Sequence, residues 1–209
     1  MSDATPMSTP DLRSGLRVSI LSIVWTVGAS AVAIAAGLTA HSLVLVAFGC
    51  TGLLDAAGSI ALVIHFRHAL RHEVFSERRE RAAFLVVDGG LVVVAVSTLA
   101  DSVSRLMTGS HGEASVVGII TAAVSVLVLA LLARRKIALG RAIPSQALFA
   151  DGLLSTTGAA LAVVTVAGAG LSALGWWWAD PLAALAMIPI MVKEGRSALR
   201  GETCCASCH

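Results

Sequence analysis

Apolar segments about 20 residues long recur along this sequence and limit what it can fold into. They lie at about 18–40, 42–64, 82–104, 114–133, 145–167 and 176–192. A helix of about 20 apolar residues crosses the hydrocarbon core of a bilayer, and helices satisfy their own backbone polar groups there. Only 13% of the residues are charged, about half the fraction found in soluble domains. The sequence therefore predicts an all-α membrane protein with six transmembrane helices.

Polar segments divide the chain into three parts. We expect residues 1–15 to form a disordered N-terminal lead, 16–195 a six-helix transmembrane domain and 196–209 a cytoplasmic tail that contains Cys and His. We expect no folded C-terminal cytoplasmic domain. No apolar stretch with a basic flank and a cleavage site is visible, so no cleaved signal peptide is expected. Two charged stretches, 65–81 and the basic run at 134–141, are predicted to connect successive spans.

The basic residues predict an orientation. All of the 15 Lys and Arg residues except Arg105 flank the same ends of the six spans. The positive-inside rule then places both termini in the cytoplasm of a multi-pass protein of the plasma (inner) membrane. No phosphate loop, cofactor fingerprint, nucleophile–base pair or nucleic-acid motif is present. We therefore expect no enzyme, no resident cofactor and no nucleic-acid partner; the lipid bilayer is the expected partner.

Two apolar helices each carry one acid and one hydroxyl, four residues apart. The pattern Gly-Leu-Leu-x-x-x-Gly occurs at 52–58 and again at 152–158, which aligns Thr51 with Asp151 and Asp55 with Ser155. Residues four apart share one helix face. A carboxylate within an apolar span costs roughly 2.5–3.5 kcal/mol on insertion scales and marks a functional site. We predict that these four side chains bind one metal ion.

Each of these residues also has a structural alternative. Asp55 can bond to a neighbouring hydroxyl, and Asp151 can cap or bridge helices at the cytoplasmic side. Thr51 and Ser155 belong to a class of small hydroxyls that usually pack or bond back to their own helix. Asp88, within the third span, is a candidate proton relay or a second residue of the same cavity.

The C-terminal tail has metal-binding chemistry of its own. Cys204, Cys205, Cys208 and His209 place three thiols and an imidazole close together. A Cys-x-x-Cys spacing suits Zn²⁺ or Cu(I). S-acylation near the membrane and an inert terminus are the alternatives.

Four segments, taken in order, resemble the cation diffusion facilitator superfamily, the zinc transporters. They are 100–106, 118–132, 145–151 with its Ala-Asp pair, and 178–185 with its Asp-Pro pair. The resemblance covers about 16–200. Within the superfamily, the chain is most similar to short actinobacterial-type cation transporters, which end in a cysteine pair. Apart from the resemblance, Asp180 before Pro181 predicts an N-cap for the sixth helix.

The resemblance implies a six-helix bundle that forms a homodimer and exports a divalent metal in exchange for protons. Zn²⁺ is the substrate it favours, with Mn²⁺, Fe²⁺ and Co²⁺ as alternatives, whereas an all-oxygen site suits the harder of these ions. A second function, from a different class, is a non-transporting membrane partner or a metal sensor that uses the tail.

The resemblance also implies a pair of ligands on the second helix and a pair on the fifth. The second-helix positions hold Thr51 and Asp55. If Asp151 is the acid of the Ala-Asp pair, the fifth-helix positions hold Leu154 and Gly158, where the family has His and Asp. The internal repeat instead makes Asp151 and Ser155 the pair.

Overall fold

Six α-helices make up the described chain. A computed structural model describes residues 9–70, 77–110, 113, 115–142 and 146–199. The helices are α1 (Thr9–Thr39), α2 (Leu43–Leu70), α3 (Glu77–Thr108), α4 (Val116–Ala142), α5 (Gln146–Ala173) and α6 (Ala179–Leu199). Each of the first five contains an apolar stretch long enough to cross a membrane. The prediction of an all-α, six-helix membrane protein is confirmed.

The helices extend beyond the apolar segments. α2 ends at Leu70 and α3 begins at Glu77, so most of the charged stretch 65–81 is helical. The basic run 134–141 lies inside α4, and its prediction as a connection is wrong. Arg, Lys, Glu and Ala are good helix formers, so hydropathy marks the membrane core rather than the helix ends. α1 begins at Thr9, inside the segment 1–15 for which disorder is expected; residues 1–8 lie outside the described chain.

Four of the helices form a compact core. α1, α2, α4 and α5 pack against one another, and α3 and α6 pair beside them. Short connections make successive helices antiparallel, so α1, α3 and α5 begin at the end of the bundle where α2, α4 and α6 end. We call this the terminal end. Large apolar side chains such as Val93, Val96, Met107 and Leu127 are exposed on the outside, as expected for a surface in contact with lipid.

Gly152, the first glycine of the second repeat copy, determines how closely α5 packs on α4. A Cβ atom at Gly152 would lie 2.7 Å from Cγ1 of Ile137 and 3.2 Å from Cβ of Lys136. No side chain fits at that position, because the backbone of α5 lies directly against α4. The close approach brings Asp151, the residue before Gly152, beside Lys136.

Asp180 caps α2 rather than α6. It lies in the first turn of α6, which begins at Ala179, so its prediction as the N-cap of that helix is wrong. Its Oδ2 accepts a hydrogen bond from the backbone N–H of Leu43 at 2.8 Å, and its Oδ1 accepts one from Ser42 Oγ at 2.5 Å. The first N–H groups of a helix lack partners within it. A buried carboxylate from α6 therefore supplies the hydrogen-bond acceptor that the first N–H of α2 lacks.

Replacing Asp180 with Ala is expected to lower the free energy of unfolding by about 1–3 kcal/mol. The change leaves the buried N–H of Leu43 without its acceptor, and that desolvation cost is not recovered. Unfolding of the purified protein in detergent, followed by circular dichroism, measures the effect. Asp101→Ala is the matched control, because Asp101 is exposed on α3 and its loss should leave stability within about 0.5 kcal/mol. Equal stability of the two variants would contradict the capping role.

Candidate cation site

A small cavity lies between α1, α2, α4 and α5. Its volume is about 30 Å³, which is room for a water-sized ion rather than for an ion with a full hydration shell. Asp55 is the carboxylate that lines it among the described residues, and the hydroxyl groups come from Ser22, Thr26, Ser30, Ser59, Ser125 and Ser155. The remaining wall is mostly apolar. The described lining therefore combines one carboxyl group with several hydroxyl oxygens.

Three of the lining hydroxyls form a stripe on α1. Ser22, Thr26 and Ser30 follow one another at intervals of four residues and all border the cavity. Residues four apart lie one above another on a helix. The sequence analysis did not identify them, because it treated the first span as uniformly apolar. Their spacing is the sequence signal that was available.

Two buried polar atoms at the cavity have no hydrogen-bond partner within the described residues. They are Nε1 of Trp25 and Oγ of Ser125, and both residues line the cavity. Buried polar groups in folded proteins are nearly always paired. These two atoms are therefore available to whatever enters the cavity, Ser125 as a ligand and Trp25 as a donor to a bound water.

A fully buried ion pair lies one helical turn from the cavity. Nζ of Lys136, on α4, is 2.8 Å from Oδ2 of Asp151, on α5, and their side chains are 0% and 3% exposed. Nζ also donates to Ser22 Oγ at 2.9 Å and to Ser155 Oγ at 3.0 Å. An ammonium group has three N–H donors. All three are used here, so the lysine is completely satisfied by protein oxygens.

Hydroxyl groups from two other helices donate hydrogen bonds to the carboxylate of Asp151. Ser19 Oγ, on α1, donates to Oδ2 of Asp151 at 3.0 Å, and Ser59 Oγ, on α2, donates to Oδ1 at 2.9 Å. The pair and its partners thus connect all four core helices. We call Lys136, Asp151 and these hydroxyls (Ser19, Ser22, Ser59 and Ser155) the lysine network.

Sequence analysis missed Lys136. The residue follows Arg134 and Arg135, both of which are exposed, and all three carry the same formal charge. The helical phase separates them, because Ser125, Leu129 and Lys136 are buried on one face of α4. That face could be recognised only if α4 were known to continue past 133.

The structure separates the four residues of the predicted metal site. Asp55 and Ser155 line the cavity, whereas Asp151 belongs to the lysine network. Thr51 is buried and its Oγ1 donates to the carbonyl oxygen of Ala47 at 2.8 Å, and it is not among the residues that line the cavity. Binding of one metal ion by all four remains a prediction.

The two registers considered for α5 both place a residue at the cavity. Leu154 and Gly158, the positions implied by the family resemblance, border it together with Ser155. Since neither Leu154 nor Gly158 has a ligand atom in its side chain, α5 contributes the hydroxyl of Ser155 to the lining.

Other candidate residues fall partly or wholly outside the described structure. Asp88 lies within α3, but its side chain is outside the described part, as is the whole tail that contains Cys204, Cys205, Cys208 and His209. In the part of the chain that is described, no three His, Cys, Asp or Glu side chains are grouped closely enough to hold a metal ion.

A double-mutant cycle tests the buried pair. Lys136→Met and Asp151→Asn should each lower the free energy of unfolding by about 3–5 kcal/mol, because each leaves a buried charge without its partner. The double variant should lose less than the two single losses added together, by about 2 kcal/mol or more. Unfolding in detergent measures all four proteins. Arg135→Met, which removes an exposed charge from the same turn, is the control, and additive losses would contradict the pairing.

Comparison with known proteins identifies the family. The family model for the cation efflux transmembrane domain matches residues 19–202, which include most of α1 and all of the other five helices. No curated protein matches the chain. The match covers far more than half of the sequence and confirms the resemblance to the cation diffusion facilitators. The chain therefore belongs to the cation efflux family and is a multi-pass membrane transporter of cations.

Proposed function

We propose that this transporter exchanges a divalent metal ion for protons and binds the ion in the Asp55 cavity. The observation that supports this proposal is the position of Asp55, a carboxylate within an apolar helix that borders a cavity lined by six hydroxyl groups. Ionisable residues within membrane-spanning helices are rare and mark ion or substrate pathways.

The size of the cavity defines how an ion would bind. A divalent ion with six water ligands is too large for about 30 Å³, so the ion exchanges most of its water for protein oxygens. Asp55 supplies the charged ligand, and Ser59, one turn along the same helix, and Ser155 on α5 supply neutral ones. Such hard ligands favour Mn²⁺ or Mg²⁺ over Zn²⁺, whereas the family resemblance favours Zn²⁺. The substrate class we propose is therefore a divalent metal, with Zn²⁺, Mn²⁺, Fe²⁺ and Co²⁺ as the ions to be compared.

Proton exchange follows from the chemistry of the ligand. A carboxylate must be deprotonated to bind a metal, so binding of the metal releases a proton and protonation releases the metal. Asp55 is the residue we assign to this exchange, and Asp88 remains the candidate relay. Asp151 joins the ligand set only in a state in which Lys136 has left it.

We also propose that both termini are cytoplasmic and that the protein is a homodimer of the plasma membrane. The orientation is supported by Arg134, Arg135 and Arg141, which lie on α4 near the terminal end, in agreement with the positive-inside rule.

The dimer rests on the family resemblance. Cross-linking in native membranes should give a species of twice the chain mass, and its absence at every cross-linker length would contradict a dimer.

Asp55→Asn is expected to reduce metal uptake into proteoliposomes by at least about tenfold. The amide has almost the shape of the carboxylate but carries neither the charge nor a proton that it can gain and lose by titration. Uptake of each of the four ions is measured with a fluorescent indicator in the lumen, and lumenal pH is recorded in parallel. Wild-type vesicles with an acidic lumen should take up metal faster and become more alkaline, and the variant should show neither change.

Asp101→Asn serves as the control, because it removes an exposed carboxylate from α3 that does not line the cavity. Full uptake by Asp55→Asn would refute the assigned site. Uptake without a change of lumenal pH would refute proton coupling alone. If the purified wild type bound metal through its tail but transported none, the sensor function would replace the transporter proposed here.

A further inference from the structure

The ammonium group of Lys136 occupies a set of oxygens that resembles a cation site. It contacts one carboxylate oxygen and two hydroxyl oxygens, those of Asp151, Ser22 and Ser155, at 2.8–3.0 Å. Its side chain is fully buried. A soluble cation bound at this place would contact the same oxygen atoms, so the lysine acts as a cation that is tethered to α4.

This set of oxygens is continuous with the cavity. Ser22, Ser59 and Ser155 line the cavity and also belong to the lysine network. Ser59 lies one turn of α2 from Asp55, and Ser155 lies one turn of α5 from Asp151. An ion at Asp55 is therefore separated from Asp151 by shared hydroxyl groups rather than by apolar packing.

The distances of 2.8–3.0 Å from Lys136 Nζ to these oxygens are typical of an ammonium group and longer than the bonds of a small divalent ion. N–H···O bonds to charged oxygens are about 2.7–2.9 Å long, whereas oxygen ligands bind Zn²⁺ at about 2.0–2.2 Å and Mg²⁺ at about 2.0–2.1 Å. The Asp151 half of the polar region therefore holds one positive charge that the protein itself provides. The acidic charge of Asp151 is cancelled, and Asp55 is the acid that lines the cavity within the described residues.

We propose that Lys136 determines how tightly the cavity binds an ion, because it competes with that ion for Asp151 and keeps this carboxylate out of the ligand set. The inference rests on the proposed function, because it concerns the same cavity and the same class of ion. Its consequence is that the lysine keeps the affinity for divalent ions low. A purely structural pair predicts the opposite, since loss of Lys136 would then only disturb the helices that form the cavity.

Isothermal titration of the full chain in detergent, with Mn²⁺ as the only added metal, distinguishes competition for Asp151 from a purely structural pair. Lys136→Met should bind Mn²⁺ about tenfold more tightly than the wild type, because Asp151 becomes a second carboxylate ligand. The gain should disappear in Lys136→Met/Asp151→Asn. Arg135→Met, which lies beside Lys136 but is exposed, should bind as the wild type does. Mn²⁺ should also raise the melting temperature of Lys136→Met more than that of the double variant.

Lys136→Gln is the second variant, should Lys136→Met fail to give a monodisperse protein. Its amide still donates to Asp151 but has no charge, so it should show a smaller gain of the same sign. Unchanged or weaker Mn²⁺ affinity in a folded Lys136 variant would overturn the proposal, as would a gain that persists without Asp151.

The outcome is separable from that of the proposed function. Asp55→Asn tests the transport site by flux, whereas the Lys136 variants are compared by binding. Loss of flux in Asp55→Asn together with no gain in the Lys136 variants would leave the transport site intact and remove only the role of the lysine. Unchanged flux in Asp55→Asn would remove the transport site first.

Discussion

A buried lysine must be paired, and that requirement organises the core of this bundle. Within an apolar membrane segment no water is available to solvate an ammonium group, so Lys136 takes all three of its hydrogen bonds from protein oxygens. Those oxygens come from α1 and α5. The carboxylate of Asp151 in turn accepts hydrogen bonds from hydroxyls of α1 and α2. The position of one charge on α4 thus constrains the other three core helices. Apolar packing between Ala-, Val- and Leu-rich surfaces has no comparable directional preference.

The position of the cavity follows from this arrangement. The lysine network lies toward the terminal end, and the cavity continues from it along the stripe of hydroxyls on α1. Asp55 lies one turn of α2 from the network hydroxyl Ser59 and lines the cavity. Two acids that appear equivalent in the sequence have different surroundings: Asp151 is paired with a buried ammonium group, and Asp55 lines the cavity.

Much of the fold could be predicted because hydropathy and charge act locally. The apolar segments locate the helices, and the depth of Asp55 within one of them marks a candidate functional site by its cost. The helix ends were missed where basic residues continue α4, because a helix and a membrane span need not end together. The hydroxyls of α1 were missed for a related reason, since Ser and Thr change the hydropathy of an apolar span very little.

The sequence by itself determined the number and order of the helices, the family to which the chain belongs and the acid on α2, because each depends on residues close together along the chain. The tertiary structure decided which polar groups meet. Asp151 and Ser155 appear in sequence as one pair on one helix face, yet Lys136 from another helix takes both as hydrogen-bond acceptors. Pairing across helices depends on distances such as that between Gly152 and Ile137, which no local pattern encodes. The difference between a candidate ligand and a neutralised acid is therefore a property of the packed bundle.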